Sequence, residues 1–203
     1  MILPLDRRIA WLLAGFACWL TGVAQAGTPS AHRLDEIAPR EIQSRYLLVG
    51  PDRGAVSDQD FHGRFQLIAF GYTYCPDICP TTLVEMAEVL RQLADQASEV
   101  QGIFISVDPE RDTPAVLKTY TTFFDPRILG LTGSPALVQR AARNFKVRYA
   151  KVADSQPGSQ FYAVDHSAGL YLLDRQGSFI KKFGYGTPPQ EIVETLRPLI
   201  GPR

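Results

Sequence analysis

The sequence predicts an α/β sandwich in which a central mixed sheet is flanked by helices. Two short apolar runs, residues 65–70 and 103–107, have the composition of buried strands. Apolar residues at helical spacing follow both runs, which is typical of parallel strands joined by crossover helices. A hairpin pattern over residues 169–183 adds an antiparallel edge to this sheet.

The other elements follow in order along the chain. Residues 27–60 are polar with scattered apolar positions, which indicates an entry segment containing one or two short strands. Prolines and capping residues then mark helix starts, because a proline in the first helical turn loses no needed N–H group. The predicted helices begin near Pro80, at Thr113-Pro114, at Ser134-Pro135 and at Thr187-Pro188-Pro189, and they end near residues 94, 124, 145 and 200.

Composition and charge limit the classes of function. The 203 residues suffice for one compact domain, and 45% hydrophobic with 21% charged residues is ordinary globular composition. Basic and acidic residues balance at 21 each, so the chain has no general electrostatic attraction for nucleic acid or for an anionic membrane surface. We therefore predict no nucleic-acid partner and expect recognition to depend on local sites.

The N-terminus has the pattern of an export signal. Two arginines precede an uncharged apolar run over residues 9–24, and a small-x-small cleavage site follows at residues 24–26. The run is shorter than the roughly 20 residues that a spanning helix needs, which favours cleavage. We predict a signal peptide over residues 1–26, with an uncleaved N-terminal anchor as the alternative, and one domain over residues 27–203.

Two cysteines, Cys75 and Cys79, remain once the signal segment with Cys18 is set aside. A single pair closing a five-residue loop is no disulfide framework, because it would staple almost nothing. In an exported protein such a pair must be kept reduced, used as a redox couple or held by a metal.

The cysteine pair lies where the first apolar run meets the first predicted helix. Such a junction collects unpaired N–H groups and the positive end of the helix dipole, so we expect it to favour thiolate over thiol. Sulfurs spaced i, i+4 can converge on one cation or close into a disulfide, although redox motifs usually have two intervening residues and this pair has three. A thioredoxin-like fold fits reactive cysteines at this junction.

Metal binding needs further ligands, and the chain offers three histidines, His32, His62 and His166. A structural zinc site would require four Cys or His ligands. Two thiolates with one imidazole suit Cu(I), and Cu(II) could add a water or a carboxylate. The residues alone leave metal binding and disulfide chemistry both open.

Three motifs resemble one family. The segment GYTYCPDICPTTL at residues 71–83 is similar to the Cys-Pro-x-x-Cys-Pro signature of the Sco (SenC) family, copper-binding proteins that assist cytochrome c oxidase assembly. Residues 106–114 look like its Asp-Pro-x-x-Asp segment, and residues 164–167 look like its histidine region. With residues 129–133, the resemblance extends over about residues 45–185.

The resemblance implies a thioredoxin-like fold and copper ligation by Cys75, Cys79 and His166. It also implies a periplasmic location, commonly with a tether to the inner membrane. Asp108 and Asp112 are expected to have a structural or docking role. A loop over residues 154–160 is expected to let the histidine approach and leave the thiolates.

The function that follows is that of a copper metallochaperone without enzymatic turnover. Cys75, Cys79 and His166 would hold one copper ion, as Cu(I) or Cu(II), and deliver it to the binuclear copper site of a cytochrome oxidase subunit. A periplasmic copper donor and a thiol reductant are the other expected partners. The alternatives are a thiol–disulfide oxidoreductase that reduces the oxidase copper-site cysteines and has no need of His166, and a redox or copper sensor.

Overall fold

A five-stranded mixed sheet forms the centre of the protein in the computed structural model, which describes residues 42–52, 54–152 and 162–202. The strands in chain order are β1 (Leu47–Val49), β2 (Ala55–Ser57), β3 (Phe65–Gly71), β4 (Val100–Ser106), β5 (Ile128–Leu131), β6 (Tyr149–Lys151), β7 (Val164–His166), β8 (Leu170–Leu173) and β9 (Phe179–Phe183). The helices are α1 (Ile78–Gln92), α2 (Pro114–Phe124), α3 (Pro135–Asn144) and α4 (Pro189–Ile200).

The central sheet has the strand order β5-β4-β3-β8-β9. Strands β3, β4 and β5 are parallel, whereas β8 pairs antiparallel with β3 and with β9. This arrangement confirms the predicted mixed sheet with an antiparallel edge. Two antiparallel pairs, β1–β2 and β6–β7, lie outside this sheet. The parallel strands end at one edge, where α/β proteins commonly bind their ligands.

Both faces of the central sheet are covered by helices. On one face β4 approaches α1 closely, because Gly102 leaves a gap that the Met86 and Leu90 side chains enter. On the other face three aromatic rings pack together, with centroids of Phe70, Phe145 and Tyr171 5.3 to 5.8 Å apart. Offset and edge-to-face packing of such rings adds to the stabilisation from their burial. The cysteine-bearing helix α1 thus packs directly against the central sheet.

The structure adds elements that the sequence pattern did not predict. Strand β5 lies between the second and third helices, which were predicted to be consecutive. The pair β6–β7 was also not predicted, and it carries His166. Helix α1 begins at Ile78, slightly before the predicted Pro80.

Two predictions lie outside the described residues: the signal peptide or anchor over residues 1–26, and the loop over residues 154–160. Within the described ranges, no helix has both the length and the apolar character needed to cross a membrane.

Candidate metal centre

The two cysteines lie between the end of β3 and the first turn of α1, as predicted. The backbone N–H of Cys75 donates to the carbonyl of Tyr72, which closes a turn directly after the strand. Cys79 is the second residue of α1, and its N–H donates to the Sγ atom of Cys75 at 3.4 Å. Both thiols are free, with Cys79 buried and Cys75 half-buried. The site therefore has one interior sulfur and one that solvent can reach.

His166 ends strand β7 and reaches the cysteines from the other side. Its Nε2 atom lies 3.3 Å from the Sγ atom of Cys79, and the ligand atoms of His166 and both cysteines all lie within 4.8 Å of one another. The Nδ1 atom lies 3.2 Å from the carbonyl oxygen of Ser167. Because a carbonyl only accepts, this contact is a hydrogen bond when Nδ1 carries the proton, and that tautomer directs the Nε2 lone pair at the sulfurs.

Burial also favours the neutral form of this histidine. Removal from water lowers the pKa of His166, and this effect outweighs the hydrogen bond at Ser167 and the charge of Asp165, which both raise it. The edge-on Tyr72 ring, 5.9 Å from the imidazole centroid, contributes to the burial. A neutral imidazole is the form that binds a metal ion.

Cys79 departs from the expectation that the helix start favours thiolate. Burial raises the pKa of the Cys79 thiol strongly, and the nearby Cys75 and Asp112 raise it further. For this sulfur the expectation is wrong, because desolvation outweighs the favourable end of the helix dipole. A metal ion bound here must displace a proton from Cys79.

Gly71 at the end of β3 leaves the space that the Cys79 sulfur occupies. A Cβ atom at this position would lie 2.7 Å from the Sγ atom of Cys79 and 2.8 Å from the nearest ring carbon of Phe104. Non-bonded carbon atoms normally stay about 3.5 Å or more apart. A larger residue at position 71 would therefore push the sulfur out of its place.

A buried carboxylate holds the cysteine loop against β4. Asp112 accepts hydrogen bonds from the N–H of Thr73 at 3.1 Å and from its hydroxyl at 2.6 Å, and a third from the Ser106 hydroxyl at 2.6 Å. Burial nevertheless raises the pKa of Asp112. Asp108 is also buried and accepts hydrogen bonds from Arg111 and Tyr162. These contacts are structural, and neither carboxylate belongs to the group of three metal donors found in the described residues.

Of the other two histidines, His62 lies in the described part of the chain and does not join this group. His62 follows the short 3₁₀ helix Asp58–Phe61 and lies beside the turn at Gly177. His32 lies outside the described residues. Sequence reasoning missed Thr73, because its contact with Asp112 connects positions 39 residues apart. It also missed Gly71, because the space beside this residue depends on how Cys79 and Phe104 pack against β3.

The donor set indicates which ions fit. Two sulfurs and one imidazole nitrogen converge on a partly buried point, and soft thiolate donors favour Cu(I) or zinc. A closed zinc site would need a fourth ligand. Cu(I), which accepts low coordination numbers, fits the three donors as they stand.

The fold and the site define a thioredoxin-like protein in which two thiols and one imidazole form a candidate metal centre. Residues 35–201 match the family model described as SCO1/SenC. The chain belongs to the SCO1/SenC family, as the sequence motifs predicted.

Similar proteins occur in bacteria and in mitochondria. A SCO2-like protein of Rickettsia felis is 38% identical over 159 residues, which make up 77% of this chain and 76% of that protein. The mitochondrial SCO2 homolog of Mus musculus is 44% identical over 140 residues, covering 68% of this chain and 54% of the homolog. The chain thus spans about half the length of this mitochondrial relative.

Solved structures are similar over most of the described chain. Bradyrhizobium japonicum ScoI with copper bound is 42% identical, with a TM-score of 0.71 and coverage of 78% of this chain and 99% of that one. BsSco, a member of the Sco family of cytochrome c oxidase assembly proteins in which a disulfide switch was identified, is 25% identical. Its TM-score is 0.62, with coverage of 81% and 97%.

Proposed function

We propose that this protein is a copper carrier that binds one copper ion through Cys75, Cys79 and His166. It delivers that ion to the binuclear copper site of a cytochrome oxidase subunit. The observation that carries the proposal is the convergence of two sulfurs and the Nε2 lone pair within 4.8 Å. The copper-bound structure of the Bradyrhizobium japonicum relative supports the choice of ion, and the assembly role of BsSco supports the recipient.

The three donor residues have different roles in holding and releasing the ion. The buried Cys79 sulfur gives up its proton to the solvent when copper binds, and the neutral His166 needs no such step. The half-buried Cys75 sulfur lies in a loop outside the sheet, where ligands of a partner can approach it. Copper can then pass to the partner by exchange of one donor at a time, and the protein returns unchanged.

Copper binding is tested by titrating the reduced protein with Cu(I) against a competing chelator. We expect one copper per chain and a clear loss of affinity in Cys75→Ser and His166→Ala. His62→Ala is the matched control and should bind like the wild type, because His62 lies beside Gly177, outside the three-donor group. Undiminished affinity in both site variants would show that the site is misplaced.

Delivery is tested in a strain that lacks the gene. We expect low oxidase activity and low copper content of the oxidase, both restored by added copper or by the wild-type gene. A periplasmic copper donor and a thiol reductant are the further partners that this cycle requires. Normal oxidase activity in the deletion strain would refute the proposed delivery.

A second candidate function is reduction of the cysteines at the oxidase copper site. The free thiols lie four residues apart across the start of α1, with Cys75 partly exposed, and the disulfide switch of BsSco favours this chemistry. His166→Ala separates the two candidates, because it should spare a reductase and disable a copper carrier. Cys75→Ser should disable both functions.

A redox or copper sensor would use the same sulfurs. Unchanged oxidase assembly with altered gene expression in the deletion strain would indicate that role.

We further propose that the protein acts in the periplasm, exported by residues 1–26 and either released or anchored to the inner membrane. The basic flank, apolar run and cleavage pattern of that segment support export. Fusing residues 1–26 to a phosphatase that is active only after export tests this proposal. An inactive fusion would contradict it.

A further inference from the structure

A buried ion pair lies beside the metal centre, in the turn that follows β4. Arg111 donates from Nε to Asp108, and the two side chains are 13% and 0% exposed. Asp108 also accepts a hydrogen bond from the hydroxyl of Tyr162 at 2.7 Å. Arginine is suited to such a place because its planar guanidinium can form hydrogen bonds at its edge and stack on aromatic rings with its faces.

The guanidinium of Arg111 contacts aromatic rings from both parts of the metal centre. Its central carbon lies 3.7 Å from the ring centroid of Tyr162, which precedes β7, and 4.7 Å from that of Tyr74, the neighbour of Cys75. The Tyr72 ring, which contacts the imidazole of His166, is 5.6 Å away. All three distances are within the range of a cation–π interaction.

The histidine strand lies outside the five-stranded sheet. Within the described ranges β7 pairs with β6, and Val164 packs in the core. The exposed ion pair of Lys151 with Glu110, 2.6 Å apart, is a second link from this hairpin to the turn after β4. Exposed pairs of this kind stabilise weakly, so the largely buried contacts of Arg111 with Asp108 and Tyr162 are the stronger of these two links.

We propose that Arg111 is a positioning residue for the metal centre. Fixed by Asp108, its guanidinium bridges Tyr162 and Tyr74 and so keeps His166 within reach of the two sulfurs. Without it the cysteine loop keeps its place through Asp112, whereas the histidine strand loses its link to Tyr74 and keeps the core packing of Val164. The imidazole would then sample positions away from the two sulfurs. This inference rests on the proposed copper site for the measurement of copper affinity, and a second measurement on the metal-free protein does not depend on it.

The first measurement is Cu(I) affinity in a double-mutant cycle with His166→Ala. Because removing Arg111 alone would leave Asp108 buried and unpaired, the test variant combines Arg111→Gln with Asp108→Asn. Arg111→Lys is a milder variant that keeps the charge and loses the stacking plane. The control is Arg91→Gln, which removes an exposed ion pair with Glu88 on α1.

We expect the combined variant to lose about 10- to 100-fold in Cu(I) affinity, the usual effect of removing a residue that orients a metal ligand. Arg111→Lys should lose less, and Arg91→Gln should bind like the wild type. In the His166→Ala background the combined change should cause no further loss, because the ligand it positions is already gone. An equal loss in that background would show a general structural effect and overturn the proposal.

The second measurement uses the metal-free protein and the NMR signals of the His166 ring. We expect the Tyr72 ring, in T-shaped contact with the imidazole, to shift these signals in the wild type. They should move to the positions of a solvated histidine in the combined variant and partway in Arg111→Lys. Unchanged signals in a folded variant would overturn the proposal. If the wild type binds no copper, the copper proposal fails, and this measurement still decides the role of Arg111.

Discussion

Gly71→Ala tests whether the position of the Cys79 sulfur depends on the missing side chain at the end of β3. Gly71 has no positive φ angle, so its backbone accepts alanine, and the obstacle is steric alone. The new methyl group would lie 2.7 Å from Cys79 Sγ and 2.8 to 2.9 Å from the Phe104 ring. Contacts below about 3.5 Å must open, so the sulfur must retreat by nearly 1 Å.

The size of the effect follows from this displacement. Overpacking a dense core by one methyl group destabilises a protein by about 1–3 kcal/mol. For a protein of this length that corresponds to a fall in melting temperature of about 2–12 °C. Metal ligand distances tolerate only about 0.2 Å, so copper affinity should fall more than stability alone would predict. We expect a loss of about 10- to 100-fold, as for other changes that disturb ligand orientation.

The assay is Cu(I) competition together with thermal unfolding, with two matched glycine controls. In Gly102→Ala the new methyl group would lie 3.1 Å from the Met86 sulfur, on the side of β4 that faces α1. This variant should lower stability and leave copper affinity unchanged. Gly184→Ala meets open space among the described residues and should alter neither. Wild-type copper affinity in Gly71→Ala, or an equal loss in Gly102→Ala, would refute the steric argument.

Three further predictions concern protons, the cysteine loop and the bound ion. Because burial raises the pKa of Cys79, its thiol is protonated at pH 7, and copper binding should release this proton. The proton on Cys79 should therefore weaken the free energy of copper binding by about 1.4 kcal/mol for each unit that the pH falls. Proton release measured in weak buffer should fall by about one per copper in Cys79→Ser. Thr73→Val removes a hydrogen bond to buried Asp112 and should lower the free energy of unfolding in urea by about 1.5–3 kcal/mol. Since burial raises the folded-state pKa of Asp112, this loss should grow as pH rises through that pKa, and Thr122→Val on the exposed side of α2 should show no such trend. Free Cu(I) at 100 times its dissociation constant should stabilise the wild type by about 2.7 kcal/mol, and Cys75→Ser should gain less.

The sequence predicted those parts of the site that depend on local pattern. The place of Cys75 and Cys79 between a buried strand and a helix follows from apolar runs and a proline, and the structure confirms it. The place of His166 beside them does not follow from any pattern, because it depends on a contact 87 residues away along the chain. The sequence pattern alone did not choose among the three histidines, and the family resemblance indicated His166.

The missed strands share a physical cause. β5 has four residues and contains Gly130, whose absent side chain lets Leu117 of α2 pack within 2.8 Å of where a Cβ would lie. β7 has three residues and is only partly buried, so alternation of apolar and polar residues cannot be recognised in it. The pKa of Cys79 was mispredicted for a related reason, because burial depends on packing that one segment does not reveal.

The separation of His166 from the cysteines has a consequence for the newly made chain. Cys75 and Cys79 leave the ribosome well ahead of the histidine, and at the usual rate of synthesis 87 residues take about 4 to 17 seconds. The strand β8, which pairs with β3, is made later still. During that interval the nascent protein has two thiols and no imidazole to complete the set of donors. A metal ion or an oxidant that it meets then can react with the sulfurs before His166 has been made.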